Sequence, residues 1–513
     1  MLYQKSFIRY NLVGSKISFS NEFVDTCDDE NIHISLLDEN KTCALEIRTN
    51  TPIEITELKH FYTYPFDKKD HIMCNGFQSW TETREFIINE KIIKYHPLVS
   101  KFSKPFGDAT YYEFPQKNGY LHAWSYAYIK KENGEIQFIA SCSDADAFTL
   151  IEFHTPKNEI IISKDIKGCI IEKENRIFKL YLESGDKEIV FKNYFTATGF
   201  EYKPNKLNGW TSWYHYYTDI DEKVINENIS NYLNNENYPI DIFQIDDGWQ
   251  KDIGNWTTCN NKFPNGLKIF TDKLHAKNIK AGLWLAPFIC EKKSEIYTKH
   301  KDWILKNDNG ALVKAGYNPG WSGDFFVLDF YNVSCRKYLE NAFNVILNQW
   351  GFDMLKLDFL YAVCLQSRAD KTRGAIMYEA MQWIRKVCGD KLILACGVPL
   401  MPCAGVVDFC RIGPDISLAW NDFLADTFRL REGISTRKSI GNTIARKELD
   451  GYWFANDPDV FMLRNKKQKM SWDERVKLFE TNTKYGSLLF TSDNIAHYNE
   501  DMKRLYSSIF RKQ

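Results

Sequence analysis

The sequence predicts an antiparallel β sandwich followed by a (β/α)8 barrel, and three observations predict this pairing. Residues 1–195 are mostly short alternating segments separated by Asn, Asp, Glu and Gly. After residue 205, strand-like and helix-like patterns take turns. Eight strand candidates then occupy about 300 residues, the number of strands a (β/α)8 barrel needs. At 513 residues the chain exceeds one ordinary domain, and its 44% hydrophobic content supports large cores. We divide it at residues 1–195 and 196–513.

In the first part, "RIFKLYLE" alternates. Phe178, Leu180 and Leu182 share one face, and Lys179, Tyr181 and Glu183 share the other. "IHISLL", "CALEIRT", "SYAYI" and "EIIIS" read as similar strands. Many short strands with turn residues between them indicate an antiparallel sandwich.

In the second part the strand candidates are 208–217, 241–247, 279–287, 354–360, 391–399, 408–415, 454–460 and 487–494. Helical stripes separate most of them. Leu339, Phe343, Ile346 and Trp350 make one within 332–350. Ile376, Ala380, Ile384 and Val387 make another within 372–389, with Gly389 as its stop. The connection after 391–399 is short, so a helix there is expected to be reduced or lost. The loop between 288 and 325 is long enough for a small hairpin of its own. The tail "MKRLYSSIFRKQ" reads as the last barrel helix.

In such a barrel, chemistry sits at the C-terminal ends of the strands. Unusual residues recur there. The first strand carries Trp210, Trp213 and Tyr214, and the second ends in Asp246 and Asp247. Trp284 ends the third, and Lys356 and Asp358 end the fourth. Cys396 and Gly397 end the fifth, Arg411 and Asp415 the sixth, Asp457 and Asp459 the seventh. Each has a structural alternative: the Asp pair as a loop cap, Asp415 as part of a Gly-Pro turn, Trp284 as barrel filling. Lys356 and Asp358 lie two apart on one strand face, so they could support each other. So many polar residues at one end of successive strands favour an active site.

Composition narrows the chemistry. A net charge of −1 offers no bulk attraction to nucleic acid or acidic membranes. The ten histidines lack HExxH spacing, and no phosphate-cradling GK[ST] loop occurs. The thirteen cysteines show no CxxC pair; Cys396, Cys403 and Cys410 recur every seven residues, which is not a zinc spacing. Reduced thiols in a cytoplasmic protein are expected. No apolar signal segment opens the chain, and no stretch approaches a membrane span. Aromatic content is 15%, which suits both β-rich cores and the flat faces of sugars. Several carboxylates, one Lys, one Arg and many aromatics fit glycoside hydrolysis, in which one carboxylate attacks the anomeric carbon and another protonates the leaving oxygen.

The motifs "GWTSWYHYY", "FQIDDGWQKDIGNW", "LWLAPF", "LKLDFLYA", "RIGPD" and "NDPD" occur in order over about 205–495, with "NGFQSW" at 75–80. In these the chain resembles the α-galactosidases of glycoside hydrolase family 36. The resemblance implies an N-terminal β-supersandwich, a (β/α)8 TIM barrel and usually a C-terminal β domain. That last domain is expected to be absent here, because the sequence ends about twenty residues after the eighth strand candidate. By resemblance, Asp358 is the nucleophile, kept ionised with help from Lys356. Asp415 is the general acid and then base, and must hold a proton. Asp246 and Asp247 grip the galactose 4- and 6-hydroxyls, and Lys356 reaches a hydroxyl. Arg411 contacts the 2-hydroxyl side, near Cys396 and Gly397. Trp284 and Tyr214 line the pocket, and Trp80 leans over the barrel mouth from the N-terminal domain.

The function expected is a retaining exo-α-galactosidase acting on small oligosaccharides such as melibiose or raffinose, with no cofactor or metal. Its partner is a small sugar, not nucleic acid or a membrane. Alternatives are α-N-acetylgalactosaminidase activity, α-galactosyl transfer, a non-catalytic sugar-binding protein, or a barrel hydrolase using its Asp groups as metal ligands.

Overall fold

The computed structural model describes residues 1–99, 107–142, 144–200, 206–235 and 237–510. Among these, the N-terminal part forms two antiparallel sheets of seven and eight strands. The first is built around Ile53–Thr63, which pairs with Leu2–Leu12 on one side and Glu159–Lys164 on the other. The second runs from Thr26–Asp28 through Glu174–Gly185 and Tyr126–Lys130 to Arg84–Ile87. Between the sheets lies an apolar core that includes Ile47, Ile72, Ile129, Ile139 and Leu180.

The second sheet is buried on both faces, which its sequence pattern conceals. Along Tyr126–Lys130, Ala127 and Ile129 point into the sandwich, while Tyr126 and Tyr128 join the core on the barrel side. Tyr181, expected on a polar face, is 2% exposed, with its ring 5.5 Å from that of Tyr194. The alternation in "RIFKLYLE" is broken by a register shift between Ile177 and Leu180, where Phe178 takes a positive φ of 60°. A bulge of this kind lets Ile177 and Phe178 both be buried.

The helix Lys187–Thr198 straddles the expected division at 195/196. Asp186 caps it by accepting from the N–H groups of Glu188 and Ile189, and left-handed Gly199 ends it. Its buried face, Val190, Phe191, Tyr194 and Phe195, is a wedge between sheet and barrel. Phe195 stacks on Tyr452 at 4.2 Å.

The barrel strands are Leu207–Thr211, Ile242–Ile245, Lys280–Leu285, Met354–Leu357, Leu392–Ala395, Phe409–Arg411, Ala455–Asp457 and Leu488–Thr491. Neighbours pair in parallel from first to seventh, and the eighth pairs with the first. The ring closes between seventh and eighth through Ser487 N–H to the Asn456 carbonyl (2.9 Å) and Phe461 N–H to the Phe490 carbonyl (3.0 Å). Every strand is shorter than its expected range and falls within it, except that the first starts one residue early, at Leu207. The first stops at Thr211, and the chain turns into a helix at Trp213–Tyr216. The fourth stops at Leu357, where Phe359 adopts a left-handed φ of 55° and leaves Asp358 at the strand's end.

The expected helices form as Val333–Asn344, with a wider turn to Gln349, and Arg373–Cys388. Only a short 3-10 turn at Met401–Cys403 joins the fifth and sixth strands. The long third loop carries Lys314–Asn318 and Gly323–Val327 as a hairpin, with Ile289–Glu291 as a third strand. The tail is helical over Glu500–Ser507, and its last three residues lie outside the described ones.

Sandwich and barrel are locked by the loop that links His71–Cys74 to Arg84–Ile87. Arg446, fully buried, donates to Asn75 Oδ1 (3.0 Å), the Ser79 carbonyl (2.7 Å), the Gln78 carbonyl (3.1 Å) and the barrel's Ile412 carbonyl (2.8 Å). Burial among these neutral partners pulls its pKa down to about 10, with Tyr126 acting the other way. Removing a buried donor strands its acceptors at ~1–3 kcal/mol each. Arg446→Ala should therefore cost at least about 3 kcal/mol, read as a drop in thermal midpoint; an unchanged midpoint would refute the lock.

Candidate active site

A cavity of about 440 Å³ opens at the C-terminal end of the barrel. It brings together Trp80, Asp246, Asp247, Trp284, Lys356, Asp358 and Asp415. Its floor is deeply buried: Asp246 is 2% exposed, Asp247 3% and Asp358 9%. Asp415 sits higher, with its side chain 34% exposed. The cavity is blind and charged at one end and open at the other.

Lys356 does not pair with Asp358 as its spacing suggested. Its ammonium donates to Asp246 Oδ2 at 2.8 Å. That carboxylate sits at the end of the second strand and Lys356 on the fourth, so the ion pair crosses the barrel rather than running along one strand. Burial works most strongly against the charged ammonium, but Asp246, Asp358 and Cys396 together outweigh it and the pKa rises. The same Asp246 Oδ2 accepts from Gln244 (2.7 Å), and Asp246 Oδ1 accepts from the Asp247 N–H (2.9 Å). Asp247 accepts from Gln250 (2.6 Å) and from the indole N–H of Trp321 (2.9 Å). Burial, with Asp246 and Asp358 nearby, pushes Asp247 up to about 6.

Asp358 accepts from the Trp284 indole N–H at 3.0 Å and from the Phe359 N–H at 2.9 Å. Trp284 is thus a donor to the carboxylate as well as a wall. Lys356, the Trp284 donor and the Cys396 thiol each favour ionised Asp358. Burial is larger than any of them and, with Asp415, leaves its pKa raised. The help expected from Lys356 is present but does not dominate.

Four expected site residues stand behind the wall. Arg411 divides its guanidinium among Asp415 (Nη1, 2.8 Å), Asp459 (Nη2, 2.9 Å) and Asp457 (Nε, 3.2 Å). It therefore orients the Asp415 carboxyl. Burial alone would lower its pKa; the carboxylates of Asp459 and Asp457 raise it well above the ordinary value. Tyr214 is turned away from the cavity by the helix at Trp213 and donates its hydroxyl to Asp459. Its neighbours Trp213 and Tyr217 line the cavity instead. Cys396 accepts from the Trp80 indole N–H through its sulfur at 3.3 Å. Gly397 has φ +58°, and a Cβ there would meet the Trp80 ring at 2.8 Å. These two seat Trp80 rather than line the cavity. Trp210 is buried within the barrel, stacked on Phe243 at 4.3 Å.

Sequence reasoning missed Trp321 and Glu432. Trp321 follows Asn318-Pro319-Gly320 at the tip of the third-loop hairpin, a turn signal flanked by aromatics that could have flagged it. Glu432 carries no local signal. It lines the cavity beside Ile434 and accepts from Thr81 Oγ1 (3.1 Å), next to Trp80, and from the Tyr95 hydroxyl (3.2 Å). Among the described residues no group of three potential ligands is placed to hold a metal, and no helix is long and apolar enough to cross a membrane.

An eight-stranded parallel barrel with several carboxyls gathered in one cavity at its C-terminal end is an arrangement similar to that of barrel glycoside hydrolases. The Melibiase family model matches residues 174–382. Alpha-galactosidase Mel36A of Lactobacillus acidophilus is 24% identical over 214 residues, 40% of this chain and 26% of its own. The chain thus spans about a quarter of that curated relative's length. TtGalA, an alpha-galactosidase from Thermus thermophilus solved with stachyose, superposes with a TM-score of 0.77 at 23% identity. That match covers 94% of this chain and 97% of the other. The GH36 alpha-galactosidase AgaA of Geobacillus stearothermophilus gives 0.60 at 13% identity, covering 94% of this chain and 67% of its own. By these matches the chain is similar to alpha-galactosidases over part of its length and shares the fold of the solved GH36 structures.

Burying carboxyls at the site has a pH signature. Burial, with Asp108 beside it, pushes Glu432 up to about 7 against an ordinary 4.5. Between those values the unfolded chain releases a proton that the folded chain keeps, so stability falls as pH rises through the window. Asp247 and Asp459, both near 6 from an ordinary 3.8, act in the same direction. Glu432→Gln should show a thermal midpoint that falls less steeply from about pH 5 to about pH 8 and exceeds that of the parent at the upper end. Parallel curves would contradict this.

Proposed function

We propose that the protein is a retaining exo-α-galactosidase that removes terminal α-linked galactose from small oligosaccharides of the melibiose and raffinose type. The observation that supports this reading best is buried Asp358 and one-third-exposed Asp415 in one cavity whose buried floor holds Asp246 and Asp247. A blind end suits a chain-terminal sugar. Its carboxylates, set against one lysine, suit the positive charge of an oxocarbenium-like transition state.

In this reading the barrel, 196–513, carries the chemistry and the β-supersandwich, 1–195, contributes Trp80. Asp247 and Asp246 take the 4- and 6-hydroxyls, with Lys356 sharing a hydroxyl. Asp358 attacks the anomeric carbon, oriented by Trp284. Asp415 gives its proton to the departing oxygen, and the covalent galactosyl–Asp358 ester forms. Asp415, now ionised, draws a proton from water. That water attacks the anomeric carbon, breaking its bond to the Asp358 carboxylate, and so releases galactose and restores Asp358. Arg411 exchanges its expected sugar contact for a positioning role, since its bond to Asp415 would hold that carboxyl in place through both steps.

Substitution of Asp415 separates the two steps. A poor alkoxide leaving group needs a proton, whereas nitrophenolate leaves almost unaided, and acid–base help is worth ~10²–10⁴ in rate. Asp415→Ala should lose far more kcat/KM on melibiose than on nitrophenyl α-galactoside. With the aryl substrate a galactosyl adduct on Asp358 should accumulate, visible by mass spectrometry of the intact protein. Equal losses without an adduct would remove Asp415 from the acid role. No turnover of the aryl galactoside by the folded parent protein would overturn the activity itself.

A further inference from the structure

Trp321 enters the cavity from the tip of the third-loop hairpin, and no step of the proposed reaction uses it. We propose that Trp321 is a specificity-determining residue: its indole N–H fixes Asp247 as the acceptor for one hydroxyl of the terminal sugar, and so selects galactosides over their deoxy analogues. The inference rests on the α-galactosidase reading and assigns part of its sugar selectivity to a residue outside the barrel strands.

The two neighbouring carboxylates differ in what they have left to offer. Among the described residues, Asp246 accepts from Lys356 (2.8 Å), Gln244 (2.7 Å), the Asp247 N–H (2.9 Å) and, weakly, Thr211 (3.5 Å). Asp247 accepts one bond on each oxygen, from Gln250 on Oδ1 (2.6 Å) and from Trp321 on Oδ2 (2.9 Å). A carboxylate has about four acceptor positions, so Asp246 is spent on the barrel while Asp247 keeps about two for a ligand. A buried acceptor of this kind discriminates strongly, because an analogue without the matching hydroxyl leaves it unpaired.

Trp321 is built in to hold that acceptor. The Asn318 carbonyl accepts from the Trp321 main-chain N–H (3.2 Å), and Asn318 Oδ1 from Gly320 N–H (2.9 Å), which closes the hairpin tip. Ser322 N–H donates to Oε2 of buried Glu291 (2.6 Å), whose Oε1 accepts from Ile253 N–H (2.9 Å). Ile253 lies in the loop that follows Asp247, so one carboxylate ties the hairpin tip to that loop. The Trp321 ring packs 5.1 Å from Phe325, 5.4 Å from Phe359 and 6.3 Å from Trp284. Ring and N–H thus have separable jobs, one packing the wall and the other addressing Asp247. Burial opposes ionisation of Asp247, as do Asp246 and Asp358, while the donors from Gln250 and Trp321 favour it. The indole N–H therefore both orients the carboxylate and favours its accepting form.

Trp321→Phe removes the N–H and keeps a ring, and at a half-buried hairpin tip this change spares the fold. The test compares nitrophenyl α-galactoside with its 4-deoxy and 6-deoxy analogues, which share one leaving group. The parent should prefer the galactoside to at least one analogue. In Trp321→Phe that ratio of kcat/KM values should shrink about tenfold, the loss of one hydrogen bond to a charged group. A purely structural tryptophan would lower all three substrates by one common factor. That result, or both ratios unchanged, or a parent indifferent to both deoxy positions, would overturn the inference and leave the activity reading standing. A folded parent that turns over none of the three would overturn the activity reading itself.

Discussion

One buried guanidinium organises the chemistry of this molecule. Arg411 binds Asp415, Asp457 and Asp459 at 2.8 to 3.2 Å while 2% exposed. Burying a charge without partners is prohibitive, and burying the two carboxylates of Asp457 and Asp459 without a cation is worse. Each partner is therefore needed by the others. Asp459 extends the cluster to the Tyr214 hydroxyl and the Ile416 N–H. The sixth and seventh strands, the loop after the first, and the turn that carries Asp415 are thus fixed around one planar group. A second pair, Lys356 with Asp246, does the same for the second and fourth strands. The barrel scaffolds these ion pairs, and the ion pairs fix where its strand ends stop.

The N-terminal sandwich completes the cavity. Trp80 reaches it only because Gly397 lacks a side chain and the Cys396 sulfur meets its indole N–H. Arg446 holds the backbone just before Trp80, at Gln78 and Ser79, and Glu432 holds Thr81 just after it from the barrel side. A cavity shared by two units in this way depends on their docking. Its rigidity rests on buried hydrogen bonds to main-chain carbonyls, which are costly to leave unmade.

The barrel was legible in the sequence because its strands are buried on both faces and read as short apolar runs ending in charges. "LKLDFL" and "FQIDDG" are of this kind. The sandwich was legible as strands but not as a packed middle layer, because Tyr128 and Tyr181 look amphipathic in sequence while their rings fill a core. Tyr214 was misplaced because its segment reads as one long strand. A helix starting at Trp213 rotates the side chains off the period-two pattern. Ion-pair partners such as Lys356 with Asp246, 110 residues apart, are set by topology and leave no local trace. The net pKa of Asp358 could not be read from Lys356, since burial outweighs that neighbour.

The central claim is that Asp358 attacks the sugar directly, with no room for a water between them. Proton NMR during hydrolysis of an α-galactoside tests it by the anomer that appears before mutarotation. Two displacements at one carbon require α-galactose first. β-Galactose appearing first would mean that water attacks in a single step, and Asp358 would then be a base rather than a nucleophile.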